Sequence, residues 1–347
     1  MDNYKHTVSP EELRRREILK KRKKRIMRNR YIIMQTIVFR LVASAVFSAV
    51  FIPGNKNLVP MEAPKASVIP PEQSVSTLNR IDYKFLIKPI ENINSSNAIF
   101  IELSSGETMA EKLPDEKIFP ASLTKIMTSI IVLEHFQNFD EELTVPQEIY
   151  TYLVEQNASV AGFYGGEVVR IIDLLYGVLL PSGAEACLTL ANAVAGNEVA
   201  FAKKMTEKAH SLGAVNTNFV NSTGLHDDNH YTTVRDMSVI LTYALKNETF
   251  KTIFTTEKYT TPATNKHHYG VTMNSTTFSA FKRAGLNNLY VKGGKTGFTG
   301  EAKLCLASYG IKDGREYILV TVGAGTGLSS RGTQQVQDAN YIYDNYA

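Results

Sequence analysis

Apolar and polar positions divide the chain into segments of different period. Tyr31 to Pro53 is an almost unbroken apolar run. Residues 54–96 lose that character, with Pro60, Pro64, Pro70, Pro71 and Pro89 set among Ser, Asn and Lys, a composition that favours extended, unpacked chain. From Asn97 onward the pattern is that of a folded domain. Ala98 to Leu103 reads as a strand, Ser104-Ser105-Gly106 as a turn, and Thr108 to Leu113 as the returning strand. Ile126 to Phe136 is apolar enough for a buried helix. Residues 140–169 are mixed, with Gly162, Gly165 and Gly166 marking loops. Ile171 to Leu180 is a helical apolar run that breaks at Pro181-Ser182-Gly183, and a second helix follows from Ala184 to Val194, ended by Gly196. Phe201 to Ser211 is amphipathic and stops at Gly213. Asn221 to Tyr231 is a polar loop, after which Thr232 or Thr233 can cap a helix over Val234 to Leu245. The period then changes. Lys303 to Ile311 and Tyr317 to Gly323 are strand-like around the hairpin signal Asp313-Gly314, and Arg331 to Tyr346 is again helical. Strands at both ends flank a helical middle. This predicts an α/β (α+β) domain in which the terminal strands share one antiparallel sheet with helices on its faces.

Charge sharpens the reading of the N-terminus. The formal net charge is +4, but twelve of the 38 Lys and Arg, against four of the 34 Asp and Glu, fall before residue 31. The remaining 26 basic and 30 acidic residues leave the globular part mildly acidic, which gives no reason to expect nucleic acid as a partner. A basic stretch ahead of an apolar run holds that side in the cytoplasm. Residues 1–30 therefore read as a cytoplasmic tail, 31–53 as a transmembrane signal-anchor, 54–96 as an extracytoplasmic stalk, and 97–347 as the working domain in the cell-membrane exterior. Arg40 lies inside the run, at a cost of roughly 2.5–3.5 kcal/mol near mid-membrane. A cleaved signal peptide with Leu41 to Ile52 as its core is the alternative, and length favours the anchor. Of the two cysteines, Cys187 and Cys305, neither has C-x-x-C or metal spacing, so two separate buried thiols are expected. The seven histidines contain no H-E-x-x-H, and neither a metal nor another cofactor is expected.

Candidate chemistry gathers at Phe119-Pro120-Ala121-Ser122-Leu123-Thr124-Lys125. Read as a helix start, Ser122 is an N-cap or first-turn residue, and Lys125, three positions on, lies on the same face. A hydroxyl, an amine that could serve as its base, and the free N–H groups of a helix N-terminus then share four residues. S-x-x-K alone is more often an ordinary cap followed by a surface lysine. Two further segments change the odds: Ser182-Gly183-Ala184 at the break between two apolar helices, and Lys295-Thr296-Gly297 inside the glycine-rich run 292–300.

S-x-x-K, a serine triplet at a helix break and K-T-G, in that order, resemble the signature of penicillin-binding proteins and β-lactamases. Ile118 to Ser129, Asp173 to Ala186, Phe201 to Met205 with Leu212-Gly213, Asn221 to Leu225 and His230 to Met237 resemble more narrowly the serine-type D-alanyl-D-alanine carboxypeptidases, the low-molecular-weight penicillin-binding proteins, over about residues 97–346. The resemblance implies the serine β-lactamase/transpeptidase-like fold, an antiparallel sheet flanked by helices plus a helical subdomain. It implies that Ser122 is the nucleophile toward the penultimate D-alanine of peptidoglycan stem peptides. Lys125 would be its base, with a pKa lowered by burial and by Lys295, and Ser182 would relay protons. Lys295, Thr296 and Gly297 would bind the substrate's carboxylate end, and Arg331 would add a guanidinium there. The N–H groups of Ser122 and Phe298 would hold the oxyanion, and β-lactam antibiotics would trap Ser122 covalently. The family's middle triplet usually ends in asparagine where this chain has Ala184, so one substrate contact is missing. Glu185 beside it reads as solvated helix surface. A β-lactamase and a non-catalytic penicillin-fold wall-binding protein are the alternatives, the first lacking a recognisable deacylating glutamate. The N-terminal anchor and the chain's end at the catalytic domain also resemble membrane-anchored accessory carboxypeptidases of vancomycin-resistance clusters.

Overall fold

The computed structural model describes residues 87–287, 289–326 and 331–347. The basic tail 1–30, the anchor 31–53 and residues 54–86 of the stalk lie outside the described residues. No helix among the described residues is long and apolar enough to cross a membrane.

A six-stranded sheet runs in the order β1-β3-β2-β10-β9-β8. Its strands are β1 (Lys88–Pro89), β2 (Asn97–Glu102), β3 (Thr108–Lys112), β8 (Val291–Thr299), β9 (Lys303–Lys312) and β10 (Arg315–Ala324). The terminal strands meet as expected: β2 pairs antiparallel with β10, with Ile99 opposite Val320. Every pairing is antiparallel except the short β1–β3 edge. Two small two-stranded sheets stand apart from this one, β4 (Glu142–Thr144) with β5 (Val168–Arg170), and β6 (Lys258–Thr260) with β7 (Thr272–Asn274).

The central strands read as continuous apolar runs because both faces of the sheet are covered. Alternate residues of β2 and β10 divide between two cores. Ile99, Ile318 and Val320 face the helical side, while Phe100, Tyr317 and Leu319 face the opposite layer. That second layer is built by α8 (Thr276–Ala284) and α9 (Gln334–Tyr346). Phe100 stacks on Tyr317 and meets the edge of Tyr343 from α9, both at 5.1 Å between ring centres.

On the helical side α1 (Thr124–His135) is the hub. All but its last two residues are buried, so it is enclosed around its whole circumference rather than along one stripe, with Lys125, Thr128 and Ser129 among the buried residues. It packs against α3 (Ile171–Leu179), α4 (Ala184–Ala195), α5 (Glu198–Ser211), α6 (Val234–Ala244) and α7 (Glu248–Thr255), with α2 (Ile149–Glu155) further out against α4. Among these, α2, α7 and α8 have no counterpart in the sequence reading. So too β8, whose three glycines oppose strand propensity.

Residues 88–96, assigned above to the stalk, belong to the domain. β1 extends the sheet, Ile90 is buried, and Asp338 of α9 accepts hydrogen bonds from Asn94 N, Asn94 Nδ2, Ser95 N and Ser95 Oγ at 2.6–2.8 Å. A Pro- and Asn-containing segment reads locally as linker. Its partner here lies more than 240 positions away, where no local pattern could reveal it.

Candidate active site

The turn that carries Ser122 is built from a strained residue and a buried lysine. Ala121, after Pro120, holds φ at 46°, a left-handed conformation that costs a residue with a side chain on the order of 1–3 kcal/mol. It opens a single 3-10 turn, Ala121–Leu123, that runs into α1. Ser122 therefore sits ahead of the helix in that turn and does not cap it, contrary to the N-cap reading. The cap position falls to Leu123, with no side-chain hydrogen bond. Freed from capping, Ser122 Oγ lies 3.1 Å from Lys125 Nζ. Lys125 is 2% exposed, and Nζ also donates to the carbonyl of Thr223.

A second serine–lysine pair faces the first. Ser182, at φ 70°, occupies the break between α3 and α4, and Lys295 of β8, fully buried, donates from Nζ to Ser182 Oγ at 2.9 Å and to Thr296 O at 2.8 Å. β8 is the edge strand of the sheet. Gly297 brings the two pairs together: a Cβ there would lie 3.1 Å from Ser122 N, so a side chain would fit only if the strand or the Ser122 turn gave way slightly. Thr296, half-buried, donates from Oγ1 to Thr276 Oγ1 at 2.7 Å, and Phe298, also half-buried, pairs in register with Leu304. Arg331 is exposed in the turn before α9, and its neighbour Gly332 packs against Leu304. Ser122, Lys125, Ser182, Lys295, Thr296 and Gly297 thus converge.

Burial sets the protonation of the lysines. Lys125 is lowered from its ordinary value because the charged form is desolvated, with Cys187, Glu185 and Glu198 pulling it back up. Lys295 is lowered well below its ordinary value, first by burial and then by repulsion from Lys125. Repulsion between the two cations is mutual and disfavours charge on both at once, with burial the larger cause at each. The two cysteines are free and buried, as expected. Cys187 lies one helical turn past Gly183, accepted by its carbonyl at 3.2 Å, and burial pushes its thiol up to about 12.

Glu185 is the clearest correction. It is fully buried, and Oε1 accepts from Ala161 N at 2.6 Å and Gly162 N at 2.9 Å. Ala184, 2% exposed, donates from N to Ser159 O at 2.8 Å. The start of α4 therefore holds residues 159–162 as a wall beside Ser182. An acidic residue in a helix's first turn is ordinarily solvated; here the loop that covers it comes from elsewhere in the chain. The polar loop 221–231 also has a larger part than its sequence suggests. Its Ser222 and Thr223 carbonyls receive Thr128 Oγ1 and Lys125 Nζ, and Glu198 Oε1 fixes Ser222 through both N and Oγ. Gly224, at φ 80°, would place any Cβ 1.9 Å from Ala121 O. The turn-forming run Asn221-Ser222-Thr223-Gly224 was the only local signal of this contact.

The profile of peptidase family S11, D-alanyl-D-alanine carboxypeptidase, matches residues 85–326. The chain belongs to this family. The carboxypeptidase-family match begins just before β1, in keeping with a domain that includes residues 88–96. Among family relatives, the D-alanyl-D-alanine carboxypeptidase DacF of Bacillus subtilis is 31% identical over 255 residues, 73% of this chain and 63% of that protein. The D-alanyl-D-alanine carboxypeptidase of Streptomyces sp. strain K15 is 32% identical over 247 residues, 68% of this chain and 83% of that protein. The chain thus spans less than two thirds of the Bacillus relative and most of the Streptomyces one. A solved structure of a Streptomyces K15 DD-transpeptidase mutant superposes with a TM-score of 0.66 at 29% identity, over 74% of this chain and 98% of that one. The fold is therefore that of the penicillin-binding transpeptidases.

Proposed function

We propose that the protein is a serine D,D-carboxypeptidase that removes the terminal D-alanine from peptidoglycan stem peptides through an acyl-enzyme on Ser122. The observation that carries this reading is the buried Lys125 amine, lowered in pKa, 3.1 Å from Ser122 Oγ. A serine hydroxyl is a poor nucleophile without a base, and a lysine is a base only when neutral.

In this reading Ser122 Oγ attacks the carbonyl of the penultimate D-alanine as its proton passes to neutral Lys125. The oxyanion forms against the N–H groups of Ser122 and Phe298. Collapse breaks the C–N bond, and the leaving amine of D-alanine takes its proton by way of Ser182. Water then attacks the acyl-serine with Lys125 again as base, giving the shortened peptide and free Ser122. Lys295, Thr296 and Gly297 receive the substrate's terminal carboxylate, with Arg331 as a further guanidinium at the outer edge. The incoming negative charge would favour the protonated form of Lys295, so binding itself would charge the residue that binds. β-Lactams, which present a strained amide and a carboxylate, would acylate the same serine. The catalytic domain would stand outside the cell membrane, attached through residues 31–53. Ala184 would leave the substrate's peptide group one partner short, compatible with D-alanyl-D-lactate ends and with a part in antibiotic resistance.

Incubation of the full chain with a fluorescent penicillin, followed by mass mapping, tests the acyl-enzyme. A Ser122 adduct together with release of D-alanine from a pentapeptide is the expected result. An adduct without D-alanine release would instead make the protein a binder, and fast penicillin turnover a β-lactamase. Membrane fractionation of the expressed chain tests the anchor.

A further inference from the structure

His230 lies in the loop ahead of α6, is 2% exposed, and takes no part in the chemistry proposed above. Both of its ring nitrogens are engaged. Val220 N–H points at Nδ1 at 3.1 Å, so Nδ1 must be the acceptor and the proton must sit on Nε2. Nε2 lies 2.7 Å from Thr124 Oγ1. Thr124 is the first residue of α1, and its hydroxyl in turn donates to Ala121 O at 2.8 Å. The directions are consistent along the whole chain: Val220 N–H to Nδ1, Nε2–H to Thr124 Oγ1, Thr124 O–H to Ala121 O. Its end point is the carbonyl of the residue held at φ 46° immediately before Ser122.

The same carbonyl is confined from its other side by Gly224, where any Cβ would come within 1.9 Å. The strained peptide is therefore gripped by a hydrogen bond from Thr124, itself held by His230 of the 220–231 loop, and by the close packing of Gly224 from the same loop. We propose that His230 is a positioning residue: through Thr124 it holds the Ala121 peptide in the left-handed conformation that aims Ser122 Oγ at Lys125. A strained backbone persists only where its surroundings over-determine it, and a misplacement of about 1 Å at a nucleophile can cost on the order of a hundredfold in rate.

The surroundings keep the ring in the required state. Burial, His226 and Lys125 disfavour the imidazolium while Asp227 favours it, and the pKa falls to about 4. The Phe219 ring packs edge-on against the imidazole at 5.5 Å. At neutral pH Nδ1 therefore keeps its lone pair for Val220.

This inference rests on acylation of Ser122, so the test reads the hydrogen-bond chain separately from it. In the full-length protein with histidine ring nitrogens labelled with 15N, the His230 signal, identified by its loss in His230→Gln, should show the Nε2–H tautomer. A proton on Nδ1 overturns the proposal. Stopped-flow acylation by a penicillin then separates pre-covalent affinity from the chemical step. His230→Leu and Thr124→Val should each slow the chemical step by about tenfold or more, leave affinity within about threefold, and combine to less than the product of their separate effects. His230→Gln, whose amide can still donate to Thr124, should recover part of the rate. Unchanged chemical rates, additive effects, or losses confined to affinity overturn the proposal. A wild-type chain that forms no adduct overturns the functional reading instead, and the ring-nitrogen spectra then decide the hydrogen-bond chain by themselves.

Discussion

Lys295 Nζ donates to Ser182 Oγ at 2.9 Å across 113 residues of sequence. The lysine is fully buried, and burial and the neighbouring Lys125 both disfavour its charge. A buried lysine whose charge is disfavoured in that position destabilises the fold in exchange for a site that can receive an anion.

Replacing it should show this directly. Lys295 has a folded-state pKa below its unfolded one, so between the two values the unfolded chain binds more protons and stability rises with pH. At pH 7 the desolvation penalty is in force. Lys295→Met should therefore raise the melting temperature by about 2–4 °C for each kcal/mol recovered, while acylation by penicillin falls by at least about a hundredfold. Calorimetry and stopped-flow fluorescence check the two halves. A lower melting temperature would reject the account of Lys295 as a destabilising group.

The pH profile of acylation should report Lys125. Its pKa is lowered chiefly by burial, so the neutral amine becomes scarcer as pH falls through that lowered value, and the rate falls with it. The acid limb should follow one proton. In Lys125→Arg, a guanidinium that does not deprotonate, the rate should drop by roughly 10²–10⁴ and the limb should disappear. A limb that persists in the variant assigns the base elsewhere.

Ala184 makes a gain-of-function test available. Asparagine there would offer an amide to the substrate's peptide group, and one such hydrogen bond is worth roughly 0.5–1.5 kcal/mol. Ala184→Asn should raise kcat/KM on D-alanyl-D-alanine peptides by about two- to tenfold, with a smaller effect on D-alanyl-D-lactate, which lacks the amide hydrogen. Parallel release assays on matched peptides decide it, and equal changes on both substrates count against the assignment.

Glu185 separates wall-building from charge. Glu185→Ala strips the acceptor from Ala161 N and Gly162 N, at about 1–3 kcal/mol for each group left unsatisfied. Glu185→Gln keeps that acceptor. Burial raises the pKa of Glu185, so the folded state binds the extra proton. Its stabilising contribution is present below the unfolded pKa and is lost as pH rises through the folded one. The glutamine variant should then melt at or above the wild-type temperature at pH 8, and the alanine variant well below it. Identical melting of all three forms would mean that Glu185 holds nothing in place.

Much of the architecture was legible because it is periodic. β2, β9 and β10, the helices α1, α3, α4 and α6, and the hairpin at Asp313-Gly314 follow local alternation or helical spacing, and each formed close to its expected bounds. The elements that escaped notice are those whose residues answer to distant partners. β8 carries glycines because backbone and side chains from elsewhere press against it, including Ser122 N at Gly297. Residues 88–96 look like linker until Asp338 collects Asn94 and Ser95.

The sequence by itself determined which residues are the candidates for chemistry, because a serine, a lysine three positions on and a glycine-flanked K-T-G are distinctive residue types at distinctive spacings. It also determined the helices and strands whose pattern is locally periodic, but not α2, α7, α8 or β8. Only the tertiary structure decided how those groups are tuned. The pKa of Lys125 and Lys295, the burial of Glu185 and the hydrogen bonds running from His230 to Ala121 all depend on which segments exclude water from one another. Desolvation is a property of the assembled interior, and no window of neighbouring residues contains it.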